Sequence, residues 1–242
     1  IRKAIEIKPD YAKAYNNLGN ILKDLGNLEK AKKAYQRCIE IEPNEISHIS
    51  NLIAILSTLY SWDEINHYLP YFKRIGLEGK GVNPMHFMYL EDNPENHLKR
   101  AIKFNQENKK EIFSNLKFHK NQKFNIGYFS SNFNTHSVSI SLTRVLELHN
   151  KSKFNVYAYS LNNRKDEYTE RIKNNVFCFR EVSNLSDIEI VNIARNDQID
   201  IAIDLNGYTN LNRSSIFNYR VAPIQINYLG YPGTMGSDSY DY

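Results

Sequence analysis

The chain has 242 residues, 41% of them hydrophobic and 24% charged, a balance that excludes a disordered tail and gives enough length for one large domain or two small ones. With 31 Lys+Arg against 27 Asp+Glu the net charge is +4, and the lysines are scattered among acids, which excludes the concentrated basic stripe of a nucleic-acid binder. No apolar run reaches the roughly 18 residues of a membrane span, and the opening IRKAIEIKPDYAKAY has no signal-peptide core, so a cytoplasmic protein without a membrane partner is expected.

In chain order, the first feature is a repeat. AIEIKP at Ala4 to Pro9 returns as CIEIEP at Cys38 to Pro43, 34 residues later. Between them Ala14, Gly19, Gly26 and Ala31 supply small residues where two helices approach closely, Leu18 and Tyr35 supply shared packing, and proline is expected where a new helix begins. This spacing resembles the tetratricopeptide repeat. The next unit, Asn44 to about Gly76, keeps the helical period through Ile49, Leu52, Ile55, Leu56 and Leu59 but loses the small residues, and reads as a degenerate capping repeat. Residues 1–76 are therefore expected to be paired helices, beginning partway through a repeat as if cut from a longer array. Residues 77–122 read as a connector, glycine-rich at GLEGKGVNP, with an amphipathic helix from Pro94 towards Phe113. Cys38 and Cys178 sit within apolar patterns, lie outside any Cys-x-x-Cys or Cys/His cluster and read as reduced core thiols.

From residue 123 to 242 strand and helix alternate. Phe124–Ser130, Phe154–Ser160, Val176–Val182, Ile199–Leu205 and Ile224–Tyr228 are rich in β-formers; Val138–His149, Glu167–Asn174, Ser186–Asn196 and Arg213–Tyr219 carry helical spacing. The fold class is thus α plus α/β: a helical repeat array followed by a Rossmann-like parallel sheet with helices on both faces. Ligands of such sheets meet the carboxyl ends of the strands. The polar clusters SSNFNTH, NGYTNLNR and LGYPGT fall at those ends.

The motifs GYFSSNFNTHS (Gly127 to Ser137), IDLNGYT (Ile203 to Thr209), RVAPIQINYLGYPGTMG (Arg220 to Gly236) and the final DY, in order behind the repeats, resemble the intracellular protein O-GlcNAc transferase family. That resemblance implies tetratricopeptide repeats ahead of a two-lobed GT-B glycosyltransferase. It also implies inverting, metal-independent transfer of one sugar, N-acetylglucosamine from UDP-GlcNAc, to Ser/Thr of intracellular proteins. No cofactor is implied beyond the nucleotide sugar as co-substrate; the repeats would recruit protein or peptide acceptors. A plant branch of the same architecture transfers fucose. The chain matches only the first lobe, so the nucleotide sugar would be held mainly by a C-terminal lobe lying outside it. The residues agree: there is no Gly-x-x-x-x-Gly-Lys loop and no Asp-x-Asp. By itself the chain is expected to be catalytically silent.

The resemblance also implies site residues. His136 matches the family's active-site histidine and is the candidate general base, its ring kept neutral at the start of a helix; from the residues alone it could equally be a helix cap. The family commonly has aspartate four residues earlier, where this chain has Asn132, which removes a charge that could orient the ring. Leu229, Gly230, Tyr231, Pro232, Gly233 and Thr234 match the loop that packs around the sugar's N-acetyl group, although a bare GYPG string is also an ordinary turn. Met88 falls where the family places a methionine against the same group, although a methionine within an apolar run is also ordinary core; His86 is a weaker candidate nearby. Tyr208 and Arg213 match active-site positions, where a guanidinium could steer a diphosphate or an acidic acceptor. A repeat-based adaptor with a decayed transferase lobe is the alternative.

Overall fold

A computed structural model describes residues 1–108, 116–119 and 122–242, apart from the side chain of Arg2. The chain forms two compact units, Ile1–Glu107 and Asn108–Tyr242.

The first unit is helical, with α1 Arg2–Ile7, α2 Ala12–Asp24, α3 Leu28–Ile41, α4 Ser47–Thr58, α5 Trp62–Asn66, α6 Leu69–Phe72 and α7 Pro94–Asn108, and a 3-10 turn at Pro84–Phe87. The expected continuation of α7 to Phe113 lies outside the described residues. Gly19 of α2 is where the paired helices touch, since a Cβ there would sit 2.5 Å from the ring of Tyr35 on α3. Leu18 is only half-buried. The core continues through Ile49, Leu52, Ile53, Ile55 and Leu56 of α4 to Phe72 and Phe87. Proline does not start the helices as expected: Pro9 and Pro43 lie in the turns after α1 and α3, ahead of the next first turn. The second helix of the last repeat is broken into α5 and α6, the latter opened by Pro70, whose missing N–H no continuous helix could tolerate there. Arg100 closes this end. Its fully buried guanidinium donates to the carbonyls of Ile75 at 2.8 Å and Phe72 at 2.5 Å, pairs with Glu91, and lies 4.5 Å over the Phe87 ring.

The second unit contains β1 Phe124–Ser130, α8 Ser137–Leu148, β2 Phe154–Ser160, α9 Glu167–Asn175, β3 Cys178–Glu181, α10 Asp187–Asn196, β4 Ile201–Asp204 and β5 Ile224–Asn227, all five strands parallel in the order β3-β2-β1-β4-β5. Alternation along the strands divides the core. Ile126, Tyr128, Val156, Ala158 and Ile203 meet Val138, Leu142 and Leu146 of α8 and Ile172 of α9. Phe129, Tyr157, Tyr159 and Ala202 meet Ile190, Val191 and Ala194 of α10 together with Ile216 and Phe217. Of the two cysteines expected in the core, Cys38 is buried and Cys178, on the edge strand β3, is only half-buried. The expected fourth helix is a 3-10 turn, Ser214–Tyr219, because the chain reverses at Arg220 in the left-handed region (φ 55°) before another full turn can form. Beyond β5 the chain returns along its outer edge, where Asp241 N–H donates to Gln225 O and Asn227 N–H to Tyr242 O. No helix among the described residues is long and apolar enough to cross a membrane.

Candidate active site at the carboxyl ends of β1, β4 and β5

β1 lies between β2, which follows it in sequence, and β4, which returns on the other side, so the order of the sheet reverses between β1 and β4. Loops diverge at such a point and leave a crevice. Here the loops after β1, β4 and β5 are joined by side chains. Asn206 accepts the Ser131 N–H at 2.8 Å and donates to Ser131 Oγ at 2.7 Å, tying the β4 loop to the β1 loop. Tyr208 donates its hydroxyl to Met235 O at 2.7 Å and meets the Tyr231 ring edge-on at 5.5 Å, tying the β4 loop to the β5 loop. Asn227 adds bonds to the carbonyls of Tyr231 and Gly233.

Under these loops is a buried carboxylate. Asp204, the last residue of β4, accepts the N–H groups of Asn206 at 2.9 Å and Gly207 at 3.1 Å on one oxygen, and the Tyr240 hydroxyl at 2.7 Å on the other. Burial pushes this carboxyl above the usual aspartate range, against the three hydrogen bonds that favour its anion. It also pushes the Tyr240 hydroxyl far up, so that group stays a donor.

The LGYPGT loop owes its shape to close approach. A Cβ on Gly230 would lie 1.9 Å from the carbonyl oxygen of Leu205, so only glycine fits. Gly230 N–H closes back on Tyr228 O at 2.9 Å, which forces Leu229 into the left-handed region at φ 71°, an uncommon conformation for a bulky residue. Leu229, Pro232 and Thr234 are exposed, Gly233 is half-buried, and Tyr231 is buried in the loop's support.

His136 is the N-cap of α8: its Nδ1 accepts the Val138 N–H at 3.2 Å, and the ring is otherwise exposed. A neutral imidazole that accepts at Nδ1 carries its proton on Nε2. The ring therefore presents a donor outward, whereas the general-base expectation requires a bare Nε2. Asn132, half-buried four residues earlier, has its carbonyl taken by Ser139 Oγ at 2.5 Å and its N–H by Ser130 Oγ at 3.0 Å. Arg213 donates through Nε and Nη2 to Asp187, at 2.9 and 2.5 Å, and Ser215 Oγ donates to the same carboxylate. Its charge is compensated within the fold, so diphosphate steering by this guanidinium would first require breaking that pair.

Met88 follows the 3-10 turn of the first unit and is half-buried, in a different unit from the loops above. His86, also in that unit, faces Ser50 Oγ at 3.2 Å, and burial, helped by Lys23, lowers its imidazole to about 4. Asp204, Asn206, Asn227 and Tyr240 were not singled out from sequence. Asn206-Gly207 reads as a turn signal, and the turn chemistry hides a side chain that is fully buried and bonded across the crevice. Among the described residues no group of three or more His, Cys, Asp or Glu could hold a metal ion.

Comparison with known proteins matches this architecture. Residues 12–45 fit the tetratricopeptide repeat model, and residues 99–242 fit the model of glycosyl transferase family 41. A protein of Arabidopsis thaliana named "Probable UDP-N-acetylglucosamine-peptide N-acetylglucosaminyltransferase SEC" is 39% identical over 122 residues, 50% of this chain and 12% of its own length. A UDP-N-acetylglucosamine-peptide N-acetylglucosaminyltransferase of Caenorhabditis elegans is 34% identical over 123 residues, 50% of this chain and 11% of its own. A solved mutant of the Thermobaculum terrenum O-GlcNAc transferase superposes with a TM-score of 0.69 at 25% identity, covering 99% of this chain and 48% of that one. The chain thus spans about half of the solved neighbour and a small part of the curated relatives. With more than half of its residues, including every loop of the crevice, inside the family model, the chain belongs to glycosyl transferase family 41.

Proposed function

We propose that this chain is the acceptor-side part of a cytoplasmic glycosyltransferase. That enzyme would move one sugar, N-acetylglucosamine from UDP-GlcNAc, to serine or threonine hydroxyls of proteins, with inversion and without a metal, while the repeats engage the acceptor. The observation that carries this reading is the joining of three loops at the reversal of the sheet, with Gly230 pressed on Leu205 O and His136 exposed at the start of α8. In the reaction the acceptor oxygen bonds to the anomeric carbon as the bond to the diphosphate breaks, the hydroxyl proton goes to a base, and negative charge grows on the leaving oxygens. Such chemistry rests on placed donors and a fixed sugar more than on covalent catalysis. In this reading the Leu229–Thr234 loop forms a wall for the sugar's N-acetyl group and Tyr208 braces that wall. His136 gives a hydrogen bond from Nε2 to a substrate oxygen, Asn132 supports its loop, and Arg213 holds the rim through Asp187. The C-terminal lobe of the whole protein would hold most of the nucleotide.

The test is transfer by the product of the complete reading frame that contains this chain. That protein is incubated separately with UDP-GlcNAc and with GDP-fucose in the presence of a Ser/Thr-rich protein acceptor, and the acceptor's mass is followed. Addition of one N-acetylhexosamine per site from UDP-GlcNAc supports the proposal. Addition of a deoxyhexose would reassign the donor, and a mass unchanged with both donors would leave the adaptor reading.

A further inference from the structure

We propose that Asp166 is a positioning residue of this site: its carboxylate ties the loop that carries His136 to the amino end of α9 and thereby fixes the imidazole. The proposal rests on the reading of His136 as a group at the transfer site.

Asp166 is the N-cap of α9, and Oδ1 accepts the N–H groups of Tyr168 at 3.0 Å and Thr169 at 3.2 Å. A helix cap needs no more than one acceptor oxygen, which serine, threonine or asparagine supplies as well as aspartate. Aspartate has a second acceptor. Here Oδ2 accepts the N–H of Thr135 at 2.5 Å, a residue 31 positions away and immediately before His136. Thr169 makes a second stitch: its hydroxyl accepts the Asp166 N–H at 3.1 Å and donates to Phe133 O at 2.6 Å. The loop between β1 and α8 is thus pinned along its backbone by four partners, Asn206 on Ser131, Ser139 on Asn132, Thr169 on Phe133 and Asp166 on Thr135. The last of these borders the histidine. If Thr135 is released, the Thr135–His136 peptide can rotate, and the Nδ1 contact with Val138 N–H that selects the ring's tautomer loses its geometry. The carboxyl of Asp166 is held below the usual aspartate range, first by the Thr135 N–H, so the tie persists as an anion.

Asp166→Asn and Asp166→Ser separate the two duties. Each leaves one oxygen to cap α9; asparagine turns an amide N–H against the Thr135 N–H, and serine offers nothing to it. In the 242-residue chain labelled with 15N-histidine, wild type should show a bare Nδ1 on His136. Both variants should show mixed tautomers and an exchange rate of the Val138 amide raised about 10-fold or more, with Ile172 in α9 still protected. Unchanged tautomer and exchange in both variants, or equal loss of protection at Val138 and Ile172, would overturn the tie.

In the complete protein, Asp166→Ser should lower kcat about 10-fold or more with the donor KM little changed, and should lower it no further when combined with His136→Ala. An additive loss in the double variant, or an unchanged kcat in Asp166→Ser where His136→Ala is impaired, overturns the positioning role. Should His136→Ala itself transfer at the wild-type rate, it is the reading of the site that fails, while the tautomer and exchange data still decide the tie.

Discussion

His136 has two nitrogens, and the structure gives them separable duties. Nδ1 caps α8 through Val138 N–H, and Nε2 is left on the exposed side of the ring, where the proposed function has it donate to substrate. His136→Ala removes both, so the second unit should lose about 1 kcal/mol of stability and the complete protein about 100-fold or more in kcat, the usual effect of deleting one placed donor at a transition state. His136→Asn separates them: asparagine is a good N-cap, so the thermal midpoint should return towards wild type while turnover stays low. If asparagine restores turnover as well, the ring serves only as a cap. The sequence placed this histidine at a helix start and left open whether it caps or catalyses. Which nitrogen faces the backbone could not be read, because that depends on a φ of −152° at the cap and on the four pins of the preceding loop. Gly230 was legible in the same limited way. Its type implied close approach, but the partner, Leu205 O, comes from another strand end 25 positions earlier.

At the scale of elements, the repeat period predicts helix ends as well as helix faces. α2 ends in a left-handed Gly26 (φ 74°), with Asn27 N–H on Leu22 O and Gly26 N–H on Lys23 O. α4 ends in the same pair of bonds, Ser61 to Leu56 and Tyr60 to Ser57, 34 residues later, but the left-handed position holds Tyr60 (φ 56°). The tyrosine ring is 78% exposed, so little packing offsets the strain. Tyr60→Gly should therefore raise stability by up to about 1 kcal/mol, the left-handed penalty less the extra chain entropy of glycine. A lowered thermal midpoint would show that Tyr60 makes a contact worth more than its strain. The longer strands were legible for a related reason. β1 and β2 carry uninterrupted runs and form over the expected Phe124–Ser130 and Phe154–Ser160. β3 is shorter than its sequence suggests because Val176 is used as the C-cap of α9, its N–H given to Ile172 O, so the ladder with β2 starts only at Cys178.

At the scale of the whole molecule, the two units should answer different perturbations. Acid is one. His86 is half-buried in the helical unit and its imidazole is lowered to about 4, so between about 6.5 and 4 the unfolded chain binds a proton that the folded chain does not, and stability falls as pH is lowered through that window. The loss should approach about 3 kcal/mol at pH 4 and be absent in His86→Gln, read by urea unfolding at pH 7 and pH 4.5. Nucleotide sugar is another, and it addresses the second unit. A diphosphate needs several uncompensated donors; His136 Nε2 is one exposed donor, but the arginines and the helix-start N–H beside the crevice are engaged. Arg213 is paired with Asp187, Arg220 is held by Asp241 and by the carbonyls of Pro223 and Ser239, and the Val138 N–H at the start of α8 is given to His136. Isothermal titration of UDP-GlcNAc into the 242-residue chain should therefore give a Kd weaker than about 1 mM, less than about 4 kcal/mol of binding. Micromolar binding would place the diphosphate site within these loops, and Arg213 would be the first residue to change. In that event Asp187→Asn, which removes the charge compensating Arg213, should tighten binding further, whereas a sugar held only by the Leu229–Thr234 wall would leave that substitution without effect.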